Sequence, residues 1–182
     1  MKITVIRSKR KTLCLQIRDG EVCLRAPFSA RESELRAFAE AHADWIKKQL
    51  AKDAERQAAA EASGKLTEEE LRALTELAKI HIAERVRYYA PLVGTDYGKI
   101  TVRRQKTRWG SCSSRGNLSF NCLLPLTPPE VIDSVVVHEL CHRKEMNHSD
   151  RFYREIYRVF PDYDKWHRWL TENGAALLRR LP

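Results

Sequence analysis

The chain has 182 residues, 43% of them hydrophobic, enough for one domain with a real core or for a domain with a small appendage. Its N-terminus lacks the apolar run of a signal peptide, and no stretch approaches the roughly 18 apolar residues that would suggest a transmembrane helix, so a cytoplasmic protein with no membrane partner is expected. The net charge of +9 is concentrated: residues 1–31 carry eight basic against two acidic side chains and residues 91–120 six against one, a pattern that suits either a polyanion-binding face or a solvated surface.

Residues 2–6, 12–18 and 21–26 are short runs rich in β-branched or apolar residues, and Asp19-Gly20 is a hairpin turn signal. Leu13, Leu15 and Ile17 alternate, as do Val22 and Leu24, which predicts a half-buried ribbon. Five cysteines, at 14, 23, 112, 122 and 141, include no Cys-x-x-Cys pair, so reduced thiols are expected rather than a zinc ribbon or disulfide framework, although Cys14 and Cys23 can face each other across the hairpin. Pro27 ends the ribbon. Ser29 with Glu32 reads as a capping box for a helix that turns Leu35, Phe38, His42 and Trp45 or Ile46 to one face, runs into an exposed segment from Ala51 to Ala62, and breaks at Ser63-Gly64. A second box, Thr67 with Glu70, opens a helix with Leu71, Leu74, Ile82 and Val86 on its stripe that stops before Pro91; His81 beside the stripe reads as a satisfied core histidine.

Residues 100–103, 106–112 and 117–124 are expected strands, with Gly110 marking a bulge or a close backbone approach. Residues 131–137 carry a β-branched run that argues for a strand, yet Thr127-Pro128-Pro129-Glu130 supplies an N-cap and first-turn prolines, and apolar pairs repeat at helical spacing. A buried helix over 128–144 is the better reading.

That helix carries His138-Glu139-Leu140-Cys141-His142. Two histidines four apart share a helix face and can share one metal ion, and Glu139 lies about 100° round, in reach of a water beside the metal. His148 cannot join them on the same helix, because six further residues turn it through about 600°. The chain must therefore break before His148, with Asn147 suited to a left-handed turn and Ser149 capping the next helix. Pro161 ends that helix, and Asp162 opens a last one whose Trp166, Trp169 and Leu170 are expected in the core. Three neutral imidazoles suit Zn²⁺ with a fourth position open, one ion per chain. Such a site lowers the pKa of water to about 7, and Glu139 as general base would complete a hydrolase; a structural zinc would have no use for it.

The spacing of the three histidines equals that of the metzincins, but Glu145 stands where those enzymes have glycine. The chain instead resembles the YgjP-type family, zincin-like metalloproteins related to the SprT and Spartan proteases. The residues that carry the resemblance are Arg108-Trp109-Gly110-Ser111-Cys112-Ser113, Asn121, Val137-His138-Glu139-Leu140-Cys141-His142, Asn147-His148-Ser149 with Phe152, and Pro161-Asp162-Tyr163. The resemblance implies a zincin core with His138, His142 and His148 as ligands and Glu139 as catalytic acid/base. Ser134, where an aromatic is usual, and Tyr153, where Trp is usual, depart from the pattern around the substrate pocket.

The expected fold is α+β: a zincin-like core with a small antiparallel sheet packed on the active-site helix, plus an N-terminal β-hairpin and long helices, divided as 1–66 and 67–182. The expected function is a zinc-dependent metallopeptidase acting on a peptide or protein, including unfolded or DNA-associated proteins. In related zincins a strand beside the active helix receives the peptide, and by that resemblance Leu118 to Cys122 is the expected edge strand, with Arg108, Leu118, Phe120 and Asn121 as substrate contacts. Segments 7–11 and 103–115 are taken as a face for DNA or nucleotide. A nucleotide phosphohydrolase and a non-enzymatic nucleic-acid-binding protein with a structural metal are the alternatives.

Overall fold

A computed structural model describes residues 3–18, 20–62 and 64–182. The chain forms two compact units, Met1–Ala62 and Ser63–Pro182.

The first unit contains β1 (Ile3–Ser8), β2 (Cys14–Arg18), β3 (Glu21–Pro27), α1 (Glu32–Ala41) and α2 (Ala43–Ala62). The β2–β3 hairpin forms with Leu15 opposite Leu24 and Ile17 opposite Val22, and β1 pairs in parallel with the other side of β3. Asp19 of the expected turn and Ser63 of the expected break lie outside the described residues. Cys14 stands opposite Arg25 and Cys23 opposite Gln16, so the two thiols do not face each other, and all five cysteines are free. Helix α1 is capped at Arg31 rather than Ser29, because the Glu34 carboxylate reaches back to accept the Arg31 N–H at 2.7 Å. The expected single helix is interrupted at His42, whose Nδ1 is bonded to the Phe38 carbonyl; His42 and Trp45 are exposed and Ile46 takes the buried position. Arg7, counted as a cation available to a polyanion, donates to the carbonyls of Pro27, Phe28 and Ala30 and fastens the chain after β3.

The second unit contains α3 (Glu68–Val93), β4 (Ile100–Arg103), β5 (Gly110–Cys112), β6 (Leu118–Asn121), a 3₁₀ turn at Leu124–Leu126, α4 (Pro129–Cys141), α5 (Asp150–Val159) and α6 (Tyr163–Leu178). Thr67 and Glu70 form the expected reciprocal cap. Helix α3 runs past Pro91 to Val93, since a proline in the last turn forfeits little, and Gly94, at φ 76°, closes the helix through the Ala90 and Pro91 carbonyls. His81 is exposed, off the buried stripe of α3. No helix among the described residues is long and apolar enough to cross a membrane.

The α+β class holds. The sheet on the active helix is mixed: its order is β4-β6-β5, with β6 parallel to β4 and antiparallel to β5. Strand β6 is therefore the central strand and cannot serve as the expected open edge. Only Gly110–Cys112 of the expected 106–112 strand is extended, because the preceding loop is held elsewhere. The Asn121 amide donates to the carbonyls of Gln105 and Arg108 at 2.6 and 2.8 Å, and its oxygen accepts the Leu123 N–H.

The conflict over residues 131–137 resolves as the buried helix α4. Val131 is buried, and Ile132, Val135, Val136, Val137, Leu140 and Cys141 are buried in a core shared with α3, the sheet, α5 and α6. Burial on every side outweighs the modest helix penalty of β-branching. Asp133, also buried, accepts a two-pronged pair from Arg85 on α3 and the Tyr89 hydroxyl at 3.1 Å, so its charge is compensated. Helix α4 ends at Cys141 with His142 as C-cap, and α5 begins after Ser149, whose hydroxyl accepts the Phe152 N–H. The break expected before His148 is present.

Candidate active site

Helix α4 supplies His138, Glu139 and His142, and the turn into α5 returns His148 to the same point. His138 Nε2 lies 3.1 Å from His142 Nε2 and 3.1 Å from His148 Nε2, and the three donor atoms fall within 4.8 Å of one another. Phe152 backs the cluster: its ring centroid is 4.9 Å from His138, 4.5 Å from His142 and 4.9 Å from His148. The Ser149 cap that starts α5 thereby fixes the surface on which all three imidazoles rest.

The donor set fits a metal ion. Tetrahedral ligands at bonds of about 2.0–2.1 Å stand about 3.3 Å apart, close to the two separations measured from His138. A neutral imidazole nitrogen carries either a proton or a lone pair, so one proton on His138 Nε2 cannot serve both neighbours, whereas a cation serves all three. The outward nitrogens are already engaged: His138 Nδ1 with the Tyr163 hydroxyl at 2.8 Å and His142 Nδ1 with the Glu145 carbonyl at 3.1 Å. An N–H on each outward nitrogen leaves the inward lone pair free for a metal. Burial pushes His138 down to about 3, with positive charge on its histidine neighbours adding to the effect, and burial also lowers His142. Both shifts favour the neutral, ligating form of His138 and His142.

A cavity of about 220 Å³ opens beside the cluster, lined by Arg108, Trp109, Gly110, Ser134, Val135, His138, Glu139, Tyr163, His167 and Leu170. Glu139 is 5% exposed, and burial pushes its carboxyl up to about 8, partly opposed by Arg108. The close approach expected at Gly110 is real. A Cβ on that residue would stand 2.5 Å from Glu139 Oε1 and 2.8 Å from its Cγ. Trp109 is also pressed against Gly174 of α6, where a Cβ would stand 2.8 Å from the indole Nε1.

The fold thus unites His138, His142, His148 and Glu139, with Arg108 on the cavity wall. It does not place Leu118, Phe120 or Asn121 on the wall of that cavity. All three are fully buried, Leu118 and Phe120 in the core beneath the sheet and Asn121 as the clamp of the 105–109 loop. Sequence reasoning missed Tyr163 and His167 as cavity residues. Their four-residue spacing on α6 was the available signal, the same one that singled out His138 and His142.

A helix-borne glutamate beside three converging histidines, on an α+β scaffold, defines a metallopeptidase-type centre. The sequence model of the YgjP-like metallopeptidase domain matches residues 11–73 and 63–173, and the chain belongs to that family. Among solved structures it is similar to the metallopeptidase zymogen abylysin of Pyrococcus abyssi, at 22% identity and a TM-score of 0.46, over 51% of this chain and 95% of that one. It is similar also to the metallopeptidase zymogen jannalysin of Methanocaldococcus jannaschii, at 20% identity and a TM-score of 0.46, over 51% of this chain and 96% of that one. No curated protein sequence matches.

Proposed function

We propose that the protein is a zinc-dependent peptidase in which His138, His142 and His148 hold one zinc ion and Glu139 is the general base. The observation that carries this reading is Glu139, buried on the cavity wall beside the three converging imidazoles with Gly110 left bare to admit it. Zinc, when bound there, supplies Lewis acidity that activates water and polarises a carbonyl at neutral pH. A cation held by the neighbouring histidines would favour the charged carboxylate of Glu139, which then takes the proton of the attacking water and returns it to the leaving amine nitrogen. Catalysis belongs to residues 67–182, with the N-terminal ribbon and helices as an accessory unit.

The peptide lies along β5. Antiparallel pairing directs the N–H and C=O groups of Trp109 and Ser113 toward β6, as the bonds from Asn121 N–H to the Trp109 carbonyl and from Ser113 N–H to the Asn117 carbonyl record. The alternate residues, Gly110 and Cys112, turn theirs to the open edge beside Glu139. An added strand there is held by its backbone, which favours unfolded or flexible protein with broad side-chain tolerance.

A polar groove of about 590 Å³ adjoins this edge and includes Lys99, Arg103 and Arg108 with no carboxylate in its lining. A protein substrate bound to DNA would present both the extended peptide and the polyanion that such a groove attracts. The test is a parallel screen of the zinc-loaded protein on an unfolded protein, a DNA–protein crosslink and a nucleoside triphosphate. Cleavage of the first two, lost in Glu139→Gln, is expected; hydrolysis of the triphosphate alone would replace the peptidase reading.

A further inference from the structure

We infer that His167 is a catalytic residue of this centre, a fixed N–H donor to the scissile carbonyl oxygen whose tautomer is set through Tyr163 by the metal ligand His138. The inference rests on the peptidase reading for its substrate but not for its hydrogen-bond logic. The Tyr163 hydroxyl lies 2.8 Å from His138 Nδ1 and 3.2 Å from His167 Nδ1, and it is the shared middle of the two contacts. Only one direction of bonding is open once His138 Nε2 gives its lone pair to a metal. The proton of that imidazole then sits on Nδ1 and is donated to the tyrosine oxygen. The single hydroxyl proton of Tyr163 must go the other way, to His167 Nδ1. A neutral His167 whose Nδ1 accepts carries its own proton on Nε2.

Three features keep this relay in place. Tyr163 is buried at 2% exposure, which holds its hydroxyl between the two imidazoles. The Tyr163 and His167 rings are stacked one helical turn apart on α6, with centroids at 5.2 Å. Burial lowers the His167 pKa against the opposing charge of Asp164, which favours the neutral ring. His167 lines the cavity with Glu139 and His138, so its imidazole is accessible to a carbonyl held there. A donor oriented in advance toward developing negative charge is what acyl-transfer chemistry demands.

The experiment reads tautomers and affinity as well as turnover. Long-range ¹H–¹⁵N correlation on zinc-loaded protein at neutral pH is expected to show His167 protonated on Nε2 and His138 on Nδ1. The His167 preference should be lost in Tyr163→Phe. His167→Phe should keep full zinc while lowering kcat by about 10²–10³ with little change in KM. It should also weaken a phosphinic pseudopeptide with a Phe-ψ[PO₂CH₂]-Ala core about as strongly, and His167→Gln, which retains an N–H, should recover part of both losses. A His167 proton on Nδ1 in the zinc-loaded wild type, or an unchanged phosphinate affinity in His167→Phe at full zinc, would overturn the inference. A wild type that cleaves no peptide would count against the proposed function, and the tautomer and phosphinate measurements would still decide the role of His167.

Discussion

Gly110 and Glu139 occupy one space: the carboxylate fills the position where a side chain on Gly110 would begin, with Oε1 2.5 Å from the site of the missing Cβ. Because Glu139 is buried on a helix that is itself buried, neither partner can withdraw without repacking. Gly110→Ala is therefore expected to destabilise the protein by about 1–3 kcal/mol, the usual cost of overpacking. The cost should shrink in a Glu139→Ala background, where the added methyl has room. Denaturant unfolding of the four proteins in the cycle measures this coupling. Equal costs in both backgrounds would mean that the strand moves rather than the glutamate.

Glu139→Gln keeps the shape of that side chain but cannot accept a proton. Hydrolysis should fall by about 10²–10⁴, the usual contribution of a general base, with metal content unchanged. Steady-state kinetics on protein of verified metal load checks it, and near-normal turnover would reassign the base.

His148 reaches the cluster only because the chain breaks after α4 and restarts at the Ser149 cap. His138→Ala, His142→Ala and His148→Ala should each lose stoichiometric metal, as measured by elemental analysis of the purified variants. Metal that binds only the folded protein stabilises it by about 2.7 kcal/mol at a hundredfold excess over Kd. Chelation should thus lower the Tm of the wild type and leave the His148→Ala variant unmoved. Full metal retention in His148→Ala would remove that residue from the ligand set.

Asn121 is a clamp rather than a substrate contact. Its three bonds, to Gln105, Arg108 and Leu123, hold the loop that delivers Arg108 and Trp109 to the cavity. Asn121→Leu should cost roughly 3 kcal/mol, from three hydrogen bonds at about 1 kcal/mol each, and activity should fall with stability. A raised KM at unchanged stability would restore the substrate-binding role.

The features legible in the sequence were those with short-range causes. Helical spacing placed His138 and His142 on one face, rotation per residue required the break before His148, and the Gly110 interruption marked a close approach. The reciprocal cap at Thr67 and Glu70 was legible for the same reason. What escaped was set by partners distant in sequence. Nothing near Leu118 reveals that β4 pairs in parallel beside β6 and turns an expected edge into the sheet centre. The burial of Asn121 depends likewise on a loop more than ten residues upstream. The spacing of Tyr163 and His167 puts them on one face of α6, but the hydrogen bond that ties Tyr163 to His138 spans 25 residues and is not legible locally.

The central position of β6 transfers the substrate edge to β5 and makes a sharper test available. Ser111 lies opposite Ser119 in the register whose N–H and C=O groups point inward, whereas Cys112 directs its own to the open side. A proline removes one N–H in either position, but the consequences differ. Ser111→Pro deletes a ladder bond and should destabilise the sheet. Cys112→Pro deletes only an edge donor, which strands tolerate, so its stability and metal content should stay close to those of the wild type. Its kcat/KM on an unfolded protein should nevertheless fall about five- to tenfold, the worth of one hydrogen bond of about 1–1.4 kcal/mol. Cys112→Ala controls for loss of the thiol and should cleave normally. If Cys112→Pro, folded and metal-loaded, cleaves as fast as Cys112→Ala, the peptide does not pair with β5 through that donor.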